Sequence, residues 1–249
     1  MRIITHDGLF HADEVFAIAL IFQFIGVCPV ERRRKVSKEE LQNPEVWVLD
    51  QYGELNSQLH NFDHHQDKTL DATCKIILTH LYLKGYIDLE IHKLLLKPIN
   101  SISHIDVNGY AEMNGYQVNE FFKCLNNLEN GFEVALAFAR TFIQSIQLES
   151  KNIEKSLKIF EAGTVPYEGV RVCSEYPVFW KSYNKEKILV FPEKGEWRVL
   201  SQDIEEYPIV EIPEQLFIHV NKFVAGYPSK TAAVKAAMLT VTSKSLAKS

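Results

Sequence analysis

The hydrophobic pattern of the first 130 residues alternates between short apolar runs and longer stretches with helical spacing. Short runs of β-forming residues at Met1–Thr5 and Val46–Leu49 predict strands. Between and after them, apolar positions recur every three or four residues, which is typical of amphipathic or buried helices. The predicted helices run from about Ala12 to Ile25, over Ala72–Tyr82 and over Leu89–Ile99. This alternation predicts an α/β unit with a mostly parallel sheet.

The pattern changes after residue 130. Apolar positions with helical spacing predict one long connecting helix over Gly131–Ala162, and Ser229 is expected to cap a last helix over Thr231–Leu239. The strands expected between these helices are Val170–Cys173, Lys187–Phe191, Trp197–Ser201 and Phe217–Val220. We therefore predict a smaller α+β unit at the C-terminal end, with domains at residues 1–150 and 151–249.

Composition narrows the class of protein. The chain has 249 residues, of which 46% are hydrophobic, so it can bury a sizeable core. The formal net charge of −5 argues against general coating of nucleic acid, and the basic patch Glu31–Lys35 is expected to be a solvated strand end. The apolar segment Val15–Val30 is too short for a membrane span and contains Gln23, so it predicts a buried core helix.

Cysteine usage indicates a reducing compartment. Cys28, Cys74, Cys124 and Cys173 are far apart and form no CxxC pair, which argues against a zinc knot or a disulfide scaffold. Met1 and Arg2 lead at once into a predicted strand, so we expect no processing signal and a cytoplasmic location. The sequence leaves open whether the chain forms a homo-oligomer.

Histidines and aspartates stand where the predicted elements end or begin. His6 follows the first strand, His11 and Asp13 lie at the start of the next helix, and Asp50 follows the second strand. The stretch FDHHQ supplies Asp63, His64 and His65, and Asp106 is expected to end a further segment, Ile102–Ile105.

Strand ends in an open α/β sheet share one edge, where ligands bind, so these side chains should converge. Each one alone has a common structural explanation, such as a turn aspartate or a helix-terminal carboxylate. Together they predict a site for Mn²⁺ or Mg²⁺, with enough ligands for two ions if one carboxylate bridges them.

These motifs carry a resemblance to a known family. The stretches THDGLFHADEVFA, VLDQYGE and FDHHQ resemble the melanocyte-proliferating-gene-1 family, a branch of the DHH phosphoesterase superfamily. The later stretches VFPEKGEWRV and FIHVNKFVAGYPSKTAAVKAA resemble the second domain of the same family. The resemblance implies a DHH-type metal-binding domain at 1–150, a substrate-binding domain at 151–249, and a manganese-dependent 3′-to-5′ exoribonuclease.

The resemblance also implies roles for individual residues. One metal would take His6, His11 and Asp50, and the other would take Asp13, Asp50, His64 and Asp106. His65 would face the scissile phosphate, and Asp63 would orient a histidine. Two departures stand out: four residues separate His6 from His11, where the superfamily has His-x3-Asp-x-Asp, and Gly226–Tyr227 replaces a glycine pair.

Two-metal activation of water needs no protein nucleophile. The basic residues expected to bind substrate are Arg198, His219, Lys222 and Lys230, with Arg198 and His219 ranked first because they lie in the family-like segments. The substrate would be RNA or a short oligonucleotide. The alternatives are a small-molecule phosphohydrolase that acts on pyrophosphate or short oligonucleotides, and a non-catalytic module that binds metal or nucleotide.

Overall fold

A computed structural model describes residues 1–109, 118–183 and 185–247 of the chain. The chain divides into two compact units, Met1–Ser150 and Lys151–Ser249, and the boundary falls within the longest helix. The elements that begin in the first unit are β1 (Arg2–Thr5), α1 (Ala12–Phe24), β2 (Val30–Arg32), α2 (Lys38–Leu41), β3 (Val46–Leu49), β4 (Leu55–Asn56), β5 (Asn61–Phe62), α3 (Thr73–Leu83), α4 (Leu89–Asn108), α5 (Val118–Leu125) and α6 (Gly131–Glu161).

The sheet of the first unit has the strand order β2-β1-β3-β5-β4. Its pairs are parallel except β4 with β5, which confirms the predicted mostly parallel sheet. In the register of β1 with β3, Thr5 pairs with Leu49. The residues that follow these strands, His6 and Asp50, therefore leave the sheet side by side at its carboxyl edge.

Apolar residues cover both faces of this sheet, as a parallel sheet requires. Ile3, Trp47 and Leu49 belong to the large core, whereas Ile4 and Val48 belong to a smaller cluster on the other face. Helix α1 is buried along nearly its whole length, from Ala12 to Phe22, which explains why its sequence is apolar all round. The prediction of a core helix in the segment Val15–Val30 is thus confirmed.

Helix α4 corrects one expectation. The segment Ile102–Ile105 is helical, so Asp106 does not follow a strand. Helix α4 continues through Pro98 to Asn108 and carries Asp106 in its last turn. Proline removes one helical hydrogen bond. However, Leu95, Ile99, Ile102 and Ile105 are all buried, and their spacing of three or four residues keeps one helix face on the core.

The second unit contains a six-stranded sheet with the order β10-β11-β9-β8-β7-β6. All its pairs are antiparallel except β7 with β8, and α8 packs its alanine-rich face on the strands, which confirms the α+β prediction. The elements are β6 (Thr164–Tyr167), β7 (Val170–Val172), α7 (Trp180–Tyr183), β8 (Ile188–Glu193), β9 (Glu196–Ser201), β10 (Phe217–Ile218), β11 (Val224–Tyr227) and α8 (Lys230–Ala247). Strands β6 and β11 were not predicted.

None of the helices in the described ranges combines the length and the apolar character that crossing a membrane requires.

Candidate metal centre

The first of two side-chain clusters forms where β1 and β3 end. Donor atoms of His6, His11, Glu14 and Asp50 all lie within 4.8 Å of one another. Nε2 of His6 is 3.1 Å from Oε1 of Glu14 and 3.5 Å from Oδ2 of Asp50. Asp50 has a left-handed backbone, with φ of 53°, a conformation that aspartate tolerates better than most residues and that is common at functional sites.

Glu14 is a member of this cluster that sequence reasoning missed. Its carboxylate accepts the backbone N–H of His11 at 2.8 and 2.9 Å, because Glu14 is the third residue of α1 and His11 is its N-cap. A glutamate three residues after an N-cap is the usual capping-box signal. That signal predicts the contact to His11, but not the contact to His6 across the sheet edge.

The second cluster surrounds the imidazole of His64. Its Nε2 lies 3.2 Å from Oδ2 of Asp106, 3.4 Å from Oδ1 of Asp50 and 3.9 Å from Oδ2 of Asp13. This nitrogen is buried and has no hydrogen-bond partner of acceptable geometry among the described residues. A buried polar atom without a partner is costly, so the arrangement is incomplete as it stands.

Asp50 belongs to both clusters. Its Oδ2 faces His6, whereas its Oδ1 faces His64 and lies 3.7 Å from Nδ1 of His65. Each oxygen of this one carboxylate is therefore directed at a different group of donors. This is the geometry that a bridging carboxylate requires.

Asp13 has a second role in the fold. Its Oδ1 accepts the backbone N–H of Cys74 at 2.7 Å, and its Oδ2 accepts that of Thr73 at 2.9 Å. These are the first two residues of α3, whose own N-cap, Ala72, offers no side-chain acceptor. Asp13 thus caps α3 from α1, and the positive end of the α3 dipole stabilises its charge.

Asp63 holds His65 in place. Its Oδ1 lies 2.7 Å from Nδ1 of His65 and accepts the backbone N–H of His64 at 2.8 Å. Its Oδ2 accepts the backbone N–H of Gly53. Asp63 is almost fully buried, whereas the side chain of His65 is 62% exposed. The Asp63 carboxylate therefore orients an imidazole that is open to solvent.

The clusters perturb the pKa values of their members. Asp50 and Glu14 raise the pKa of His6 to about 10. Burial lowers the pKa of His64, but the carboxylates of Asp106 and Asp50 outweigh it and raise that pKa to about 10. Burial, followed by the charges of Asp50 and Asp106, raises the pKa of Asp13 well above its usual value.

The electrostatics favour a divalent cation. Asp13, Glu14 and Asp50 are at most 4% exposed, and within the described ranges their only ion-pair partners are histidines. Buried carboxylates are normally paired with lysine or arginine, or they coordinate a metal. Imidazole nitrogens and carboxylate oxygens are ligands that Mn²⁺ accepts together. The donor set therefore fits such an ion.

The comparison with known sequences agrees with the motifs. The sequence profile of the MYG1 exonuclease family, described as "Uncharacterised protein family (UPF0160)", matches residues 2–141, more than half of the chain. The chain belongs to this family. The match contains all the clustered residues of the first unit. The resemblance of the C-terminal stretches to the MYG1 family lies outside it and stays a prediction.

Individual MYG1 relatives match over shorter regions. A mouse (Mus musculus) protein named MYG1 exonuclease is 34% identical over 110 residues, which are 42% of this chain and 29% of that protein. The MYG1 protein of Chlamydia trachomatis is 29% identical over 145 residues, or 54% of this chain and 50% of that protein. The matched part of the chain thus spans half or less of these relatives.

Solved structures are only distantly similar. A pGpG-specific phosphodiesterase, PggH, from Vibrio cholerae has a TM-score of 0.37 and 10% identity, over 96% of this chain and 97% of that one. RecJ from Thermus thermophilus in complex with Mn²⁺ has a TM-score of 0.29 and 13% identity, over 96% of this chain and 51% of that one. Likeness at this level carries no structural argument.

The basic residues predicted to bind substrate all lie in the second unit of this MYG1 family member. Arg198 is paired with Glu193 at 3.0 Å and Glu196 at 2.9 Å, and its guanidinium lies 4.6 Å from the centroid of the Phe217 ring. A Cβ at Gly226 would approach Arg198 Nη1 to 2.4 Å, so the glycine leaves room for this arrangement.

The other three residues differ in how strongly they are engaged. Lys222 is 3.2 Å from Glu211, His219 accepts the backbone N–H of Asn221 at 3.1 Å, and Nζ of Lys230 lies 5.8 Å from the Trp197 ring centroid. The carboxylate partners of Arg198 and Lys222 would compete with a phosphate. His219 and Lys230 have no carboxylate partner among the described residues, so their side chains are more available to bind a phosphate.

Proposed function

We propose that the chain is a divalent-metal-dependent phosphodiesterase that removes nucleotides from RNA or short oligonucleotides, with 3′-to-5′ polarity. The observation that carries this proposal is the position of Asp50, whose two carboxylate oxygens face two separate groups of buried donors. The exonuclease names of the curated relatives support the reaction class. The predicted cytoplasmic location stays a prediction.

The clusters suggest which residues would hold the ions. His6, His11, Glu14 and Asp50 would hold one, which adds Glu14 to the ligands expected from sequence. Two further donor groups share His64, one with Asp13 and Asp106 and one with Asp50 and His65, and from these Asp13, Asp50, His64 and Asp106 would hold the other ion. When bound, divalent cations supply Lewis-acid polarisation of water and of a phosphoryl oxygen. The histidine protons of the ion-free clusters would leave as the cations bind.

His65 is the residue we assign to the substrate phosphate. In a neutral ring, Nδ1–H donates to Asp63, so Nε2 is left as the acceptor; in the protonated ring, Nε2–H can donate to a phosphate oxygen. The exposed ring reaches solvent while Asp63 fixes its plane. His65 can therefore neutralise phosphate charge or exchange a proton with the leaving oxygen.

One observation favours the second candidate, hydrolysis of very short oligonucleotides or pyrophosphate. In the basic patch, Arg33 pairs with Glu31 and Glu40, and Arg34 lies 2.9 Å from Asp7. Two of the basic residues of the patch, Arg33 and Arg34, are therefore paired with acidic side chains, and these two offer little free charge to a long RNA backbone. Binding to long RNA should weaken steeply with added salt, whereas hydrolysis of a dinucleotide should not.

The experiment compares Asp50→Asn and His64→Ala with the wild-type chain and with Asp71→Asn, an exposed aspartate whose ion-pair partner among the described residues is Lys75. RNA labelled at its 5′ end, dinucleotides and pyrophosphate are incubated with each protein in Mn²⁺. We expect the two site variants to lose at least about 100-fold in rate and the control to keep its rate, with products shortened from the 3′ end.

Wild-type rates in Asp50→Asn would contradict the site assignment. Metal binding without turnover of any phosphodiester would instead favour the non-catalytic module. Turnover confined to dinucleotides or pyrophosphate would favour the second candidate.

A further inference from the structure

A cleft in the first unit lies beside the candidate metal centre and extends beyond it. It has a volume of about 300 Å³ and lies between the Leu9–Ala12 segment, the last turns of α4, and α5. Its inner wall contains His11 from one donor cluster and Asp106 from the other. A molecule in this cleft would therefore touch both clusters, next to the reacting phosphate.

The walls of the cleft combine apolar and polar surface. Leu9 is 69% exposed although it adjoins a group of charged residues, whereas Phe10 and Ile105 line the cleft but are almost fully buried. Oδ1 of Asn119 is buried and has no hydrogen-bond partner among the described residues. A buried amide oxygen without a partner is unfavourable, and a ligand with an apolar face for Leu9 and a polar edge for Asn119 would satisfy it.

Charge is distributed unevenly in the cleft. Asp106 places a carboxylate at its inner end, whereas Lys123 stands four residues after Asn119 on α5 and so on the same helix face. The Lys123 side chain is 70% exposed, and its Nζ is 3.9 Å from Glu120, a weak surface pair. The inner end is thus suited to an uncharged group, and the Lys123 side is suited to a phosphate.

We propose that this cleft binds one nucleoside unit of the substrate, with the base between Leu9 and Ile105, its polar edge on Asn119, and a phosphate near Lys123. This inference rests on the proposed phosphodiesterase function and names the subsite beside its reacting centre. The volume is at the lower end of the range for ligand pockets, which fits one nucleoside. Asn119 and Lys123 are specificity residues in this account.

The test measures the binding of adenosine and uridine monophosphates to the whole chain by calorimetry, in the Asp50→Asn background, so that no turnover is needed. Asn119→Ala and Lys123→Ala are compared with two controls, Asn127→Ala and Lys97→Ala, which lie in the same unit outside the cleft. Inorganic phosphate is the probe for anion binding alone.

We expect Asn119→Ala to weaken mononucleotide binding about tenfold, because it removes a side chain that can pair with a base edge. Lys123→Ala should weaken it by less and should reduce its salt dependence. Neither control should change it. If Asn119→Ala does not fold, Lys123→Ala and chemical-shift changes at Ile105 on nucleotide addition decide the question.

Equal binding of mononucleotides by Asn119→Ala and the parent would overturn the subsite. So would phosphate binding as tight as that of the nucleotides, or an absence of nucleotide binding when the wild-type chain hydrolyses dinucleotides. By contrast, nucleotide binding that depends on Asn119, together with no hydrolysis in the wild type, would overturn the proposed function and leave the subsite standing.

Discussion

Asn126 follows α5 and binds the backbone next to the first donor cluster. Its replacement by alanine should lower the free energy of unfolding by an amount that the structure allows us to calculate. Its Oδ1 accepts the backbone N–H of Phe10 at 2.9 Å, and its Nδ2 donates to the carbonyl of Phe10 at 2.8 Å. Phe10 directly precedes His11, so this pair of bonds fixes the backbone from which His11 projects. The Phe10 side chain is itself buried.

Asn126→Ala removes both bonds, together with a weaker one to the carbonyl of Phe122 at 3.4 Å, and takes away the partner of the Phe10 N–H. Each neutral hydrogen bond contributes about 1 kcal/mol net, and an unsatisfied buried N–H costs about 1–3 kcal/mol. We therefore expect a loss of about 2–3 kcal/mol in the free energy of unfolding. With a urea dependence of about 2–3 kcal/mol per molar, the midpoint should fall by about 1 M.

The assay is urea unfolding in the presence of a chelator, with hydrogen exchange of the α1 amides to locate the loss in the first unit. The matched control is Asn127→Ala, because Asn127 is exposed and its side chain donates to the carbonyl of Cys124 at 3.1 Å, at the end of α5 and not at Phe10. Affinity for Mn²⁺ should also fall about tenfold in Asn126→Ala, because His11 is less well positioned. An unchanged urea midpoint in Asn126→Ala would refute this reasoning.

Three further predictions concern single residues. Burial, helped by His60 and Lys84, lowers the pKa of His80 from 6.5 to about 4. The fold should therefore be fully stabilised above pH 6.5, and its free energy of unfolding should fall by up to about 3 kcal/mol as the pH falls to 4. In pH-dependent urea titrations, His80→Phe should lose less stability over this range, and a pH profile identical to that of the wild type would contradict this. Gly131→Ala should lower the free energy of unfolding by more than about 2 kcal/mol, because the new Cβ would lie 1.9 Å from the carbonyl oxygen of Leu125. A thermal unfolding midpoint equal to that of the wild type would contradict this prediction. Asp63→Asn should lower turnover about 10–100-fold, because Asp63 orients His65. Since Asp63 lies outside the donor clusters, calorimetry should show the same number of bound Mn²⁺ ions as in the wild type. Loss of a bound ion would instead place Asp63 among the metal ligands.

Local patterns predicted much of the first unit. Strand β3 was expected over Val46–Leu49 and is found there, and α1 and α6 differ from their predicted bounds by one residue at their C-terminal ends. These elements have strong apolar patterns, so period and length identify them. The placement of His6 and Asp50 at adjacent strand ends follows from the same patterns, since parallel strands share a carboxyl edge.

Contacts between distant segments could not be predicted in the same way. The Asp13 carboxylate caps α3, 60 residues later, and only the packing of α1 on α3 brings them together. Glu14 looks locally like a capping residue, and its contact with His6 depends on the turn between β1 and α1. Asp106 was expected to follow a separate segment, Ile102–Ile105, whereas the buried face of α4 continues through these residues.

The central claim is that Asp50 serves two cation sites at once, and calorimetric titration of the chelator-treated chain with Mn²⁺ tests it most directly. The account predicts two ions per wild-type chain, and weakened binding of both in Asp50→Asn but of neither in Asp71→Asn. A wild-type chain that binds no Mn²⁺, or an Asp50→Asn chain that binds two ions with unchanged affinity, would contradict it.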